Sequence, residues 1–362
     1  MIGDKNTMGA QRHLKLKSAD HAGLFLYFRK QLLLFMKSLL SLLPLAFLLF
    51  GACEKEKVNP SSELNVFVSG YEYDGNKYIP KYWKNGTPVP LPTTSDGGEA
   101  LSIFASGNDV YCSGVGMVKN GTINIWKNGH ETLLTDGTQS VGASNIVVVG
   151  NDVYVAGNEG DVPKYWKNGI PVVLEGEGSV TGIAVDGNDV YVSGTWNTNE
   201  IINTLGIQIA VYWKNGIQVA LTDNLHSALA SSIMIVDHNV YISGSVYDGT
   251  VVIPVYWKNG ARHDLPSNYD NTTDIFVNGN DVYVLGRGKY WKNDVAVEVT
   301  HGADQVELSQ IFVSGADVYL SGFIIDGTSV AVFWKNGVVT LLTDGKQNAY
   351  TSSIFVQNGS TN

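Results

Sequence analysis

Short runs of alternating apolar and polar residues, each bounded by Gly, Asn or Asp, follow one another from residue 64 to the end of the chain. β-Branched and aromatic residues dominate these runs, as in Ser-Ile-Phe-Ala at 102–105, and this pattern favours strands over helices. Asn-Gly stands between many of the runs, and it is a strong hairpin signal because a type I′ turn needs two residues with positive φ. The pattern predicts an all-β body.

Two motifs recur seven times along this body. Trp-Lys-Asn-Gly, with Trp-Lys-Asn-Asp in one copy, occurs at intervals of 34 to 47 residues. Its tryptophans are Trp83, Trp126, Trp166, Trp213, Trp257, Trp291 and Trp334. A run of the Val-Tyr-Val-Ser-Gly type precedes each copy, as at 110–114. A period of about 40 residues indicates a repeat architecture rather than a series of separate domains.

Each repeat predicts four strands, which we name a to d. Strand a ends at a Gly-Asn-Asp turn, strand b is the Val-Tyr-Val-Ser-Gly run, strand c carries the tryptophan, and the Lys-Asn-Gly turn leads to a short strand d. Seven such units predict a seven-bladed β-propeller. The first unit starts with strand b at Asn65 and the chain ends on a lone strand a at 353–359, so the C-terminal strand should complete blade 1. An open solenoid is the alternative, but it would need polar capping repeats.

Antiparallel pairing places the connections on two faces of the disc. The uniform a–b and c–d turns share one face, which we name the turn face; the b–c and d–a loops share the other, the variable face. Length variation is confined to the variable face, where loops on a rigid scaffold commonly carry function. The longest insertion lies in blade 4 and the shortest loop in blade 6. The candidate ligand-binding residues on this face are Trp196, Tyr71, Tyr73, Tyr247, Arg287 and Glu200. Loop drift without a ligand is the competing interpretation.

The N-terminal region predicts a lipid-anchored protein. A lysine and the apolar run 39–50 lead to Gly-Ala-Cys, with Cys53 as the lipidation site, and the whole resembles a bacterial lipoprotein signal. An uncleaved transmembrane helix is the alternative, but the run is shorter than the roughly 20 residues that span a bilayer. The predicted organisation is an upstream extension at 1–35 with the true start at Met36, a signal peptide at 36–52, a tether at 53–63 and one propeller at 64–362.

Composition excludes several classes of function. The net charge is −10, and seven of the basic residues lie within the first 52 positions, so a nucleic-acid partner is not expected. The histidines from residue 53 onward show no metal-ligand spacing, and no nucleotide or cofactor motif occurs. We therefore predict no metal and no cofactor. Cys112 replaces a repeat valine and is expected to be a buried hydrophobe, as are the repeat tryptophans.

These repeats resemble the propeller blades of bacterial extracytoplasmic lipoproteins built on Tyr-Trp-Lys-Asn-Gly units, as in Tyr82-Trp83 and Tyr165-Trp166 with the residues that follow them. The resemblance covers residues 64–359 and implies a propeller at the cell envelope, without a particular activity.

Three functions are compatible with this picture. The first is a non-catalytic, lipid-anchored module, favoured at the outer membrane, whose variable face binds a polysaccharide or an envelope protein; Trp196→Ala should then abolish binding with little loss of stability. The second is a glycan lyase or hydrolase that pairs Glu200 with Asp74 or Asp248. The third is a purely structural envelope scaffold.

Overall fold

The computed structural model describes residues 64–202, 205–223, 225–267, 270–302 and 305–359. These ranges form 28 strands. They include no helix, and hence none long and apolar enough to cross a membrane. The predicted signal peptide and Cys53 lie outside the described residues.

The strands form seven four-stranded antiparallel sheets. The described residues begin with β1 (Leu64–Tyr73), β2 (Tyr78–Lys84) and β3 (Thr87–Pro90). Blade 2 contains β4 (Gly98–Ser106), β5 (Asp109–Gly116), β6 (Thr122–Lys127) and β7 (His130–Leu133). Blade 3 contains β8 (Val141–Val149), β9 (Asp152–Glu159), β10 (Val162–Lys167) and β11 (Ile170–Val173). Blade 4 contains β12 (Gly178–Asp186), β13 (Asp189–Ile202), β14 (Leu205–Lys214) and β15 (Ile217–Ala220).

The remaining blades repeat this order. Blade 5 contains β16 (Ala228–Val236), β17 (Asn239–Tyr247), β18 (Val252–Lys258) and β19 (Ala261–Asp264). Blade 6 contains β20 (Thr272–Asn278), β21 (Asp281–Gly286), β22 (Lys289–Lys292) and β23 (Val295–Glu298). Blade 7 contains β24 (Gln305–Ser314), β25 (Asp317–Asp326), β26 (Thr328–Lys335) and β27 (Val338–Leu341). The last strand is β28 (Ala349–Asn358).

The C-terminal strand closes the ring. β28 pairs antiparallel with β1, with Val356 opposite Val66 and Ile354 opposite Val68, so blade 1 has the order β28-β1-β2-β3. The predicted seven-bladed propeller and its closure are confirmed. Closure hides the strand edges that an open array would expose to pairing with another chain.

The hydrophobic core lies between blades rather than within one. All seven repeat tryptophans are at most 1% exposed. Trp213 of blade 4, for example, belongs to a cluster with Tyr154 and Leu174 from the blade 3 repeat. Cys112 is 1% exposed, and burial raises the pKa of its thiol. The predicted core roles of the tryptophans and of Cys112 are confirmed.

Candidate functional site

The turn face is built from one hydrogen-bond network in every blade. In blade 2, Asn128 adopts φ 50° and Gly129 φ 79°, as a type I′ turn requires. The Asn128 side chain accepts a hydrogen bond from the Val110 amide at 2.8 Å and donates one to Asp109 at 2.7 Å. The equivalent asparagines are Asn85, Asn168, Asn215, Asn259, Asn293 and Asn336. Because the c–d turn bonds to the a–b turn of its own blade, the predicted sharing of one face is confirmed.

The turn lysines extend this network in five blades. Lys127 lies 2.9 Å from Asp109, and its ammonium stands 5.1 Å from the centre of the Tyr111 ring. Hydrogen bonds from Lys127 and Asn128 lower the pKa of Asp109. Blades 1 and 5 have Asn65 and Asn239 at the aspartate position. The polar side chains of the turns are thus engaged in hydrogen bonds and ion pairs with one another.

The central channel is narrow and has a polar belt. Innermost strands of all seven blades line a cavity of about 160 Å³. Each of these strands has a β-bulge at the same height, and a bulge leaves one backbone amide without a ladder partner. Side chains of the preceding blade bind such amides: Ser102 accepts from Ile146 at 3.2 Å, and Gln310 accepts from Ile354 at 2.8 Å. The belt therefore ties neighbouring blades together.

Asp274 is the acidic member of this belt. Its side chain is buried and bridges two other blades, because it accepts hydrogen bonds from the Ser232 hydroxyl at 2.6 Å and from the Ile311 amide at 3.1 Å. Burial raises the pKa of Asp274 to about 6 against the opposing effect of these hydrogen bonds. Both carboxylate oxygens are engaged with the scaffold, which indicates a structural role.

The variable face carries a tyrosine cluster where blades 7, 1 and 2 meet. We define the cluster as Tyr71, Tyr73, Tyr78, Tyr350 and Phe323. The ring centre of Tyr71 lies 5.2 Å from that of Tyr78 and 5.2 Å from that of Tyr350. Tyr73 approaches Tyr78 at 5.4 Å, and Phe323 approaches Tyr350 at 5.0 Å. Ladder pairing fixes the arrangement, since Tyr71 lies opposite Tyr350 and Tyr73 opposite Tyr78.

Glu99 supplies a carboxylate beside this cluster. It is half-buried on β4, and burial raises its pKa. Burial followed by the charge of Glu99 raises the pKa of the Tyr71 phenol well above its usual range. No described residue forms a hydrogen bond or an ion pair with the Glu99 carboxylate. The same holds for the hydroxyls of the four clustered tyrosines, whereas repeat tyrosines such as Tyr111 bond to their turn aspartates. The cluster therefore keeps its polar groups available.

Among the predicted ligand-binding residues whose side chains the structure describes, only Tyr71 and Tyr73 come together. Tyr247, in blade 5, is 44% exposed and donates its hydroxyl hydrogen bond to Gly249 of its own loop at 2.8 Å. Arg287 is exposed in blade 6 and contacts Glu307 of blade 7 at 3.1 Å. Glu200 lies on β13, and its side chain is outside the described residues.

Trp196 lies in blade 4, remote from the cluster in the ring order. Its side chain is half-buried and packs against the apolar cluster between blades 3 and 4. Its truncation should therefore lower stability, contrary to the expectation that stability would stay intact. Its role in binding stays a prediction.

The variable face also has a polar pocket of about 370 Å³ between blades 3 and 4. Asp161 and Glu177 line it and are exposed, and Asn158 spans it by accepting from the Val180 amide at 2.9 Å. No group of three or more His, Cys, Asp or Glu that could hold a metal ion occurs among the described residues. Because polar residues line it, the pocket lacks the aromatic surface that the tyrosine cluster offers.

The two aspartates of the predicted catalytic pairs cap their own loops. Asp74 accepts from the amides of Asn76 and Lys77, both at 2.8 Å. Asp248 accepts in the same way from Thr250 at 2.8 Å and Val251 at 2.9 Å. These hydrogen bonds lower the pKa of both aspartates. A lowered pKa suits an ionised turn cap and opposes the role of a general acid.

Sequence reasoning missed Tyr78, Tyr350, Phe323 and Glu99. A usable signal existed, because aligning the last strand with the other a strands places Tyr350 at the repeat position of Glu99, three residues before a belt residue. With the predicted closure of blade 1, that alignment brings Tyr350 opposite Tyr71.

Comparison with known proteins adds only a general likeness in fold. No protein-family model matches the chain, and no curated protein matches it. Among solved structures, the chain is similar to a TolB protein from Agrobacterium tumefaciens, with 13% identity, a TM-score of 0.42, and coverage of 63% of this chain and 94% of that one. It is also similar to extracellular domains 1-2 of Drosophila Semaphorin 1a, with 10% identity, a TM-score of 0.42 and coverage of 81% and 88%.

A third similar structure is the acylaminoacyl peptidase of Pyrococcus horikoshii, with 13% identity and a TM-score of 0.45. Here 68% of this chain is covered but only 46% of the peptidase. Likenesses of this size carry no inference about activity or ligand.

Proposed function

We propose that this protein is a lipid-anchored, non-catalytic binding module of the bacterial outer membrane whose variable face holds a glycan or an envelope protein. The observation that supports this proposal is the tyrosine cluster, in which Tyr71, Tyr78 and Tyr350 make ring contacts while their hydroxyls bond to no described residue. Tyrosine suits binding because its ring offers apolar area and its hydroxyl a polar group.

The cluster favours a glycan over a protein partner. Sugar rings have an apolar face and polar edges, which match tyrosine rings and free hydroxyls. A protein interface commonly buries about 800 Å² on each side. This cluster is a smaller surface, because it consists of five aromatic side chains around the C-terminal end of β1 and the N-terminal end of β28. Capping roles for Asp74 and Asp248 support binding over glycan hydrolysis.

A thermal-shift titration of the full chain in mild detergent against a panel of polysaccharides tests the binding proposal. A ligand that binds only the folded protein raises its melting temperature by mass action. We expect a shift in the wild type that is lost in Tyr350→Ala. Leu225→Ala is the control, because Leu225 is 64% exposed on the same face, in the loop between blades 4 and 5, and it should keep the shift. A panel without any shift would contradict glycan binding, and a shift kept by Tyr350→Ala would contradict the site.

The lipid anchor is tested separately. We expect the wild type to partition into the detergent phase and to carry acyl chains on Cys53, since two or more chains give stable membrane attachment. Cys53→Ala should abolish both acylation and partitioning. Detection by mass spectrometry of peptides that continue through position 53 in the wild type would contradict the proposed cleavage.

A further inference from the structure

We propose that the tyrosine cluster recognises glycans with free, protonated amino groups, and that Glu99 is the counter-ion for the amine. This inference rests on the proposed function and adds the class of ligand.

The first support is a comparison of two equivalent acids. Glu99 in blade 2 and Glu307 in blade 7 occupy the same repeat position, and Tyr350 occupies it in blade 1 between them. Glu307 is neutralised, because Arg287 contacts its carboxylate at 3.1 Å and Gln305 donates to it at 2.6 Å. Glu99 makes no such contact with a described residue. Of these two carboxylates beside the cluster, that of Glu99 is thus available to a ligand and that of Glu307 is not.

The second support is the environment of that carboxylate. Glu99 is half-buried, and a charge removed from water without a partner is costly. A ligand ammonium would supply a charge-assisted hydrogen bond at this point. The neighbouring aromatic rings favour the same ligand, because the faces of tyrosine rings attract cations.

The third support is the availability of the hydroxyls. The four clustered tyrosines offer donors and acceptors that repeat tyrosines do not, since Tyr154 and Tyr319 hydroxyls lie near their turn aspartates at 3.4 Å. A sugar whose amine binds Glu99 would have its ring beside Tyr71. The two residues are neighbours, because the charge of Glu99 adds to burial in raising the pKa of the Tyr71 phenol. The net charge of −10 also attracts a cationic polymer from a distance.

The test compares two oligosaccharides of the same length, one with free amines and one in which every amine is acetylated and therefore uncharged. Affinities of the full chain in mild detergent are measured for a glucosamine hexasaccharide and for its fully N-acetylated counterpart at near-neutral pH. We expect the amino form to bind about tenfold more tightly, the size of one charge-assisted hydrogen bond. Glu99→Gln should erase the preference, because the amide carries no charge to pair with the amine. Glu307→Gln is the matched control and should keep the preference, because its charge is already paired.

The outcomes separate the two proposals. Equal affinity for both sugars, with both lost in Tyr350→Ala, would overturn the amine inference and leave the glycan-binding module standing. A preference that survives Glu99→Gln would also overturn the inference. Absence of binding to either sugar would overturn the amine inference. If the polysaccharide panel also gives no thermal shift, the proposal of glycan binding is overturned as well. Melting curves of each variant without sugar establish that it is folded.

Discussion

The polar residues on the two faces of the disc have opposite roles: those on the turn face bond to one another, and those of the tyrosine cluster on the variable face do not. On the turn face, Asp109 accepts hydrogen bonds from Asn128 and Tyr111, and the bond between asparagine and aspartate recurs in five blades. On the variable face, the side chains of Tyr71, Tyr350 and Glu99 form no hydrogen bonds with one another or with other described residues. Polar groups that satisfy one another stabilise a turn, whereas polar groups left free can bind a ligand. Repetition therefore marks the scaffold, and departure from the repeat marks the candidate site.

The largest effect is expected where the turn-face network is broken. Asn128→Val should lower the free energy of unfolding by about 3 kcal/mol, because valine is strained at φ 50° and both side-chain hydrogen bonds are lost. Asn197→Val is the matched control on the variable face, since Asn197 is exposed and lies in a strand; it should change stability by less than about 0.5 kcal/mol. Urea unfolding measures both. Equal losses would refute the distinction between the faces.

The belt between the two faces should respond to pH through Asp274. Its pKa in the folded protein is about 6 against an ordinary 3.8, so the folded state binds the proton more tightly. Stability from this group is therefore present at low pH and is lost as pH rises from about 4 to 6. Asp274→Asn should remove this slope and increase stability at pH 7 by about 2 kcal/mol, because an amide can still accept from Ile311 and donate to Ser232.

The free energy of unfolding is measured for wild type and for Asp274→Asn over this pH range, and the difference between the two is plotted. Contributions from groups that titrate in both proteins cancel in this difference. A difference that does not vary with pH would show that the carboxylate is not held as described. A destabilised variant at pH 7 would show that its charge is needed in the channel.

The smallest effect is expected for the turn-face ion pairs. Asp109→Asn recreates the arrangement found naturally in blades 1 and 5, where Asn65 and Asn239 accept the same hydrogen bond. The Lys127 side chain is more than half exposed, and exposed ion pairs contribute little. The melting temperature should match the wild type within error. A clear fall would mean that the lysine network, rather than the asparagine turn, holds this face.

Most of the fold could be predicted because it depends on local patterns that repeat. The Asn-Gly turns, the Trp83-type positions and the half-units at the two ends each indicate the same architecture, and the structure confirms seven blades and closure by β28. The β-bulges and the polar belt were not predictable from one repeat, because the belt exists only where side chains such as Asp274 reach a neighbouring blade.

The candidate site was predicted only in part. Tyr71 and Tyr73 stand out as aromatic residues at a loop, but Tyr350 and Glu99 reach them through ring closure and contact between blades. The packing of Trp196 against the apolar cluster between blades 3 and 4 was likewise not predictable from its place in a long insertion. Exposure depends on tertiary contacts that the local sequence does not contain.

The central claim, that the tyrosine cluster is the binding surface, is tested most directly by NMR of the full chain with labelled tyrosine rings, titrated with the two hexasaccharides. The 18 tyrosines include members of both faces, so each spectrum has its own control. If the cluster is the binding surface, the signals of Tyr71, Tyr73, Tyr78 and Tyr350 should shift and those of Tyr111, Tyr154 and Tyr319 should not. Shifts at the turn-face tyrosines, or an unchanged cluster in the presence of bound sugar, would contradict it.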